Sequence, residues 1–544
     1  MRPSILAVLL VGLSATSTLA DTYLRPCYFT NWAHYRPGRG KYVPEDYIPG
    51  LCTHILFAFG WIDAQTFKAR AYDDQDLPSD WAGPGMYKRV NQLKQSDPGL
   101  KTLLSFGGWT FGTDIFKRLA AERQHRQTFI SSAIEFIEKW GFDGIDIDWE
   151  YPTAADKDNY LAFVSELKEA ILERSRQTGG DKHLLTAAVT PNVQKIDEGY
   201  HVAELSRHFD FILLMSYDFH GAWEKKTGIQ APLYAKEGDT FSLEVAANSW
   251  AERGMPKKMI AIGIPTYGRG WTLNNPSDSE VGAPASSPAQ DLQYTREAGV
   301  GAFYEFCDML KAGPERRWDD ESKTPYLVKN NQWFSYDDEE SIGIKVDWLI
   351  ENGFGGAFTW TLDNDDFNGK CAGKRYPLHS VIVKKLTGND ISPQSPSTMA
   401  PSVISATGGT IKPIGIFCDG QPDGFQSHPS SCTSFLLCLK SQAYELQCPS
   451  DLEFSGSLGY CTSSKEANCG KPESPSVTVR PPSRQTTKGP FVCREDGFFP
   501  DPESCFRFYR CANGIAYQFD CAGGLHFNAK TGQCDHPIAA NCNL

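Results

Sequence analysis

Between residues 21 and 388, short apolar runs alternate with longer amphipathic stretches. Runs at 23–28, 54–59, 102–106, 144–149, 184–189, 211–215, 259–264 and 356–360 have the length and apolar character of strands. Stretches such as 126–140 and 157–177 carry helical spacing between them. Eight strands joined by helical crossovers predict an α/β fold, a closed parallel (β/α)8 TIM barrel. The interval from 264 to 356 is too long for one crossover helix and predicts an inserted α+β subdomain over roughly residues 268–340.

Beyond residue 388 the pattern changes. Segments 389–415 and 470–490 are rich in Ser, Thr and Pro. Such segments cannot bury a core and behave as extended linkers, open to O-glycosylation. They separate a large piece, 21–388, from two small ones, 416–469 and 491–544. The small pieces repeat each other. Cys418, Cys432, Cys438, Cys448, Cys461 and Cys469 are separated by 13, 5, 9, 12 and 7 residues, and Cys493, Cys505, Cys511, Cys521, Cys534 and Cys542 by 11, 5, 9, 12 and 7. Units this small need covalent staples, so two disulfide-rich β modules are expected. Zinc is disfavoured because structural zinc sites use closely paired cysteines.

The N-terminus sets the compartment. Arg2, the apolar run from Ile5 to Leu13 and the small-residue site Thr18-Leu19-Ala20 read as a signal peptide, residues 1–20, with the mature chain starting near Asp21. No later apolar run reaches the roughly 18 residues of a membrane span. A secreted, extracellular chain without a membrane partner is expected, consistent with 16 cysteines, 12 of them after residue 415. The net charge of −13 argues against nucleic acid, whose phosphates need clustered Lys and Arg.

The stretch from Phe142 to Tyr151 carries the candidate chemistry. On a strand, side chains alternate faces, so Asp146, Asp148 and Glu150 share one face and Ile145, Ile147 and Trp149 the other. The helix-facing side of a barrel takes Ile and Trp. The acids therefore point inward, with Glu150 nearest the C-terminal mouth where barrel enzymes keep their sites. Three stacked acids are tolerable only if they share protons, which raises at least one apparent pKa and makes a general acid available. A calcium loop starting at Asp146 would need Gly at its sixth position and Glu at its twelfth; Tyr151 and Lys157 stand there. No metal and no cofactor are expected.

The acid run Asp143-x-x-Asp146-x-Asp148-x-Glu150 resembles the signature of family-18 glycoside hydrolases, the animal chitinases. Ser105-Phe-Gly-Gly-Trp109, Met215-Ser-Tyr-Asp-Phe219 and Gly356-Ala-Phe-Thr-Trp360 match other barrel motifs of that family, in order. The tail repeats resemble peritrophin-A-type chitin-binding domains. The resemblance implies hydrolysis of β-1,4-linked N-acetylglucosamine polymer by a retaining route in which the substrate's own acetamide is the nucleophile. It implies that Glu150 protonates the leaving oxygen and later activates water, Asp148 orients the acetamide and Asp146 supports Asp148. It implies too that Tyr217 would donate to the acetamide oxygen and that Asp218 and Met215 would line the same subsite.

By the same resemblance Tyr28, Phe59, Asp80, Trp81, Gly107, Gly108, Trp109, Thr110, Tyr151, Ser216, Tyr267, Arg269 and Trp360 line the substrate cleft. Trp360 is its expected floor, since sugars present flat C–H faces to aromatic rings. Trp32, Trp223 and Trp271 are further aromatic candidates, and the Asp363–Asp366 run reads as a polar turn. The implied disulfides are Cys27–Cys52 and Cys307–Cys371, with first–third, second–sixth and fourth–fifth pairing in each tail module. The expected partners are chitin and N-acetylglucosamine oligomers, bound by a monomer. Tyr509 and Gly514 of the second module replace Leu436 and Ser441 of the first, so stronger chitin binding is expected of the second. The rival readings are a non-catalytic chitin-binding lectin on the same fold, a chitin cross-linking matrix protein, and cleavage of N-glycan cores.

Overall fold

The computed structural model describes residues 23–391 except 80, 81 and 237, and, further on, residues 424–428, 431–439, 442–447, 453–455, 460–462, 497–502, 504–512, 515–520, 526–529, 533–535 and 542. The chain forms two compact units, residues 1–398 and 399–544.

In the first unit eight parallel strands close a barrel: β1 (Pro26–Thr30), β2 (His54–Ile62), β3 (Lys101–Gly107), β4 (Gly144–Asp148), β5 (Leu184–Val189), β6 (Phe211–Leu214), β7 (Ile260–Pro265) and β8 (Gly356–Trp360). Each pairs with its neighbour in sequence order, and β1 pairs with both β2 and β8. The first strand begins later than its apolar run suggested: Leu24 makes only an isolated bridge to Gly356. Every residue of β1 is buried, so no alternation marks its boundary. Two apolar layers result. Ile145, Ile147 and Trp149 face outward into the layer between strands and helices, whereas Tyr28, Leu56, Leu103, Leu213, Ala261 and Phe358 fill the barrel interior.

Between β7 and β8 lies a second, antiparallel sheet. Tyr267–Leu273 is flanked by Ala285–Pro288 and Val300–Ala302 on one side and by Gln332–Ser335, Thr324–Lys329 and Arg316–Asp319 on the other. The helix Phe303–Lys311 accompanies it, and Cys307–Cys371 ties that helix to the barrel end. Cys27–Cys52 joins β1 to the loop before β2. Among the described residues no helix is long and apolar enough to cross a membrane.

The second unit shows its duplication directly. Gly424–Ser427, Ser434–Leu439 and Gln442–Gln447 form a three-stranded antiparallel sheet, and Gly497–Asp501, Ser504–Ala512 and Ile515–Asp520 form another. In both, the third cysteine sits at the same place in the ladder: Cys438 opposite Gly424 and Ala443, Cys511 opposite Gly497 and Ala516. Cys505–Cys542 is the second–sixth pair of the second module. The other tail pairings each involve a residue outside the described set, as do the signal segment, most of both linkers, Gly514 and the side chain of Tyr509.

Candidate active site

The acids of β4 form a column graded by its surroundings. Asp146 lies deepest and is fully buried. Ser105 on β3 and Thr186 on β5 stand beside it in register. Their hydroxyls donate to its carboxylate at 2.6 and 2.7 Å, and Tyr28 of β1 donates at 2.8 Å. Burial raises the Asp146 pKa while these three donors pull it down. Asp148, one step higher, is also buried, but its Oδ1 has no hydrogen-bond partner among the described residues. Burial, then the charges of Glu150 and Asp146, hold its carboxyl well above the usual range. The chain crosses tightly here: Gly107 has φ +126°, and a Cβ on it would lie 1.9 Å from the Asp148 carbonyl oxygen. Glu150, at the rim, is pushed up to about 7, chiefly by burial. The Asp218 charge adds to that, while Tyr151 and Lys195 act in the opposite sense.

The segment after β6 faces this column. Met215 and Tyr217 are buried in the barrel interior, Tyr217 edge-on to Tyr267 and Phe358. Burial and the neighbouring carboxylates keep the Tyr217 phenol protonated, and so a donor. Asp218 has φ +57°, a conformation Asp tolerates better than most residues. It is fixed by Arg269, which reaches both its oxygens at 2.8 and 2.5 Å, and by the Tyr267 hydroxyl at 2.7 Å. Ser216 is placed differently. Its hydroxyl donates to the Gly263 carbonyl and accepts from the Gly263 N–H, joining β6 to β7.

An aromatic floor lies beside the column. Trp360, ending β8, meets Tyr28 at 4.9 Å and Phe59 at 5.9 Å between ring centroids, and Trp32 stacks on Phe59 at 6.0 Å. Gly108 lets the Phe59 ring approach, since a Cβ there would meet it at 2.6 Å. Trp109 and Trp223 are 74 % and 62 % exposed, and Thr110 is exposed beside Trp109. The Arg269 guanidinium lies 5.6 Å from the Trp223 ring centroid. Trp271 corrects the sequence reading: it is fully buried against Trp333 in the core of the inserted sheet and lines no cleft. Asp80 and Trp81 fall outside the described residues.

The Asp363–Asp366 run is a turn, but a buried one rather than the solvent-facing turn its polarity suggested. Asp363 accepts from Thr30 at 2.7 Å and pairs with Arg36 at 2.6 Å. Asp365 accepts from the N–H groups of Leu378 and His379 and meets His379 Nδ1 at 2.8 Å. His379 Nε2 in turn meets Thr359, the residue before Trp360, at 2.8 Å. Asp366 accepts from the N–H groups of Cys371 and Ala372. Nothing local could reveal this, because the Thr30 partner is 333 residues away. Lys195 was also missed. Its ammonium sits 4.5 Å from the Tyr151 ring centroid.

Residues 25–365 match the family Glycosyl hydrolases family 18, and residues 418–469 and 493–542 each match the Chitin binding Peritrophin-A domain. A probable endochitinase of Caenorhabditis elegans is 48 % identical over 97 % of this chain and 92 % of its own length. The crystal structure of an immunomodulatory active chitinase from Trichuris suis superposes with a TM-score of 0.65 at 47 % identity, over 67 % of this chain and all of that one. A human pseudo-chitinase with retained chitooligosaccharide binding superposes at 0.63 and 37 % identity, over 68 % of this chain and all of that one. The chain belongs to the family-18 glycosyl hydrolases and carries two peritrophin-A chitin-binding domains.

Proposed function

We propose that the chain cleaves chitin with retention of configuration, the substrate's acetamide acting as nucleophile and Glu150 as proton donor. Chitin hydrolysis with a chitin-binding tail follows from the family, the two tail domains and the endochitinase relatives. The route rests on one observation, the graded column Asp146–Asp148–Glu150. A carboxyl near pKa 7 at the rim can hold a proton for a leaving oxygen and take one back from water. Asp148, buried with an oxygen to spare, supplies an acceptor for an acetamide N–H. Tyr217 supplies the donor for the acetamide oxygen. Asp146 is already engaged by three hydroxyls and supports Asp148 from below. Tyr28, Phe59 and Trp360 form the floor for the distorted sugar, with Tyr151, Tyr267, Asp218 and Arg269 around it and Trp109 and Trp223 further along the mouth.

The same fold occurs in a pseudo-chitinase, so the fold alone does not decide between cleavage and binding. The acid at position 150 supports cleavage. Secretion is part of the proposal, supported by the N-terminal apolar run and the disulfides. Proton NMR of the first product released from N-acetylglucosamine oligomers tests the route. An initial β-anomer is expected, and an initial α-anomer overturns acetamide participation.

A further inference from the structure

Lys195 lies on the short helix Val193–Gly199, which follows β5 and is capped by the Asn192 side chain accepting from the Lys195 N–H at 3.1 Å. Its side chain is exposed. Among the described residues no carboxylate is within ion-pair distance of it. Instead its ammonium rests 4.5 Å from the centroid of the Tyr151 ring, the residue next to Glu150. A cation held over an aromatic face is fixed in place without being neutralised.

Among the described residues, the acids that line the site around Glu150 are engaged or drawn neutral. Asp218 is paired with Arg269 through two short hydrogen bonds. Asp146 is buried under three hydroxyl donors. Asp148 and Glu150 are drawn towards their neutral forms by burial. Below about pH 7, where Glu150 holds its proton, the Lys195 ammonium over the Tyr151 ring is a cation facing a sugar chain laid past Tyr151. Fully acetylated chitin is neutral and indifferent to it. A deacetylated unit carries an ammonium of its own and is repelled.

We propose that Lys195 is a specificity-determining residue that selects against cationic glucosamine units next to the scissile bond. The proposal deepens the reading of Glu150 as proton donor and rests on it. Acetamide participation already demands an acetylated unit at the bond being cut. Lys195 extends the demand to a neighbouring unit by repulsion.

The test uses the full chain with Lys195→Gln, Lys195→Glu and Lys195→Arg. Each is assayed below about pH 7 on fully acetylated oligomers and on partially deacetylated chitosan. The readouts are the ratio of kcat/KM for the two substrates and the identity of the units flanking the cut, by mass spectrometry of the products. Lys195→Gln should raise the chitosan-to-chitin ratio about two- to five-fold, the effect expected of one exposed charge at this range. Lys195→Glu should raise it further, and Lys195→Arg should leave it near wild type. Glucosamine should become more frequent at new non-reducing ends or at the second unit from new reducing ends. High salt, which shortens screening to about 3 Å at 1 M, should move the wild-type ratio towards that of Lys195→Gln. An unchanged ratio in both Lys195→Gln and Lys195→Glu overturns the proposal. So does an equal loss on both substrates, which would make Lys195 only a support for Tyr151. If the wild type releases no sugar from acetylated oligomers, it is the assignment of Glu150 that fails instead.

Discussion

Two short runs of acids lie at the C-terminal end of this barrel, and they have opposite fates. Asp146, Asp148 and Glu150 alternate along a strand, so their side chains stack on one face, and only the deepest finds a full set of donors. Asp363, Asp365 and Asp366 sit in a turn that fans its side chains apart. Each reaches a different partner: Arg36 and Thr30, His379 and its neighbouring N–H groups, and the N–H groups of Cys371 and Ala372. Both runs are buried. The difference is that the upper acids of the first run sit beside like charges with few donors, whereas each acid of the second is held by at least two, although Asp366 Oδ1, like Asp148 Oδ1, has no partner among the described residues. Buried acids without partners keep their protons and are available for chemistry, whereas buried acids with partners become structural ties.

The largest expected effect that sharpens this contrast is at Glu150. Glu150→Gln keeps the shape but cannot donate a proton, so turnover on chitin oligomers should fall by about 10²–10⁴-fold while oligomer binding survives. Stability should not suffer. The folded carboxyl titrates near 7 against 4.5 for an ordinary Glu, so its ionisation costs stability progressively as pH rises from 4.5 to 7. The amide escapes that cost, and thermal melts should show the variant gaining on wild type across that window. More than a tenth of the wild-type rate would falsify the assignment.

Asp363→Ala should do the reverse. Arg36 is left largely buried without its counter-charge, a loss of about 3–5 kcal/mol, read as a lower midpoint in urea. Turnover of the remaining folded enzyme, measured well below its melting temperature, should stay near wild type. A variant that is stable but slow would erase the distinction between the two runs.

A smaller effect concerns pH. As Glu150 loses its proton near 7, kcat/KM should fall on the alkaline side. Lys195 holds that value down, so Lys195→Gln should displace the alkaline limb upward by a few tenths of a unit, a shift typical of one exposed charge. A limb that moves downward, or does not move, contradicts the electrostatic role given to Lys195.

The sequence made the first run legible and hid the second, for a physical reason. A period-two alternation of acids with Ile and Trp states which way the acids face, and the barrel follows from eight apolar runs joined by helical stretches. The roles of Tyr28, Ser105 and Thr186 as donors to Asp146 depend on register between strands, which those runs do not specify. Trp271 shows the limit on the other side. Two residues beyond Arg269 on the same strand, it serves the core of the inserted sheet, because that end of the strand lies over Trp333 rather than over the barrel mouth. Arg36 and Asp363 meet only because β1 and β8 are neighbours in a closed sheet.

That closure also constrains how the protein is made. The last strand returns to the first, and Thr30 waits for a partner 333 residues further along the chain. At ribosomal rates of about 5–20 residues per second, β1 emerges roughly 15–70 s before the segment that covers its second edge. Throughout that interval the edge of a strand whose every residue becomes buried lies open to other chains. Nascent chains stalled before residue 356 should therefore aggregate, whereas those released past Asp366 can seal the barrel on themselves.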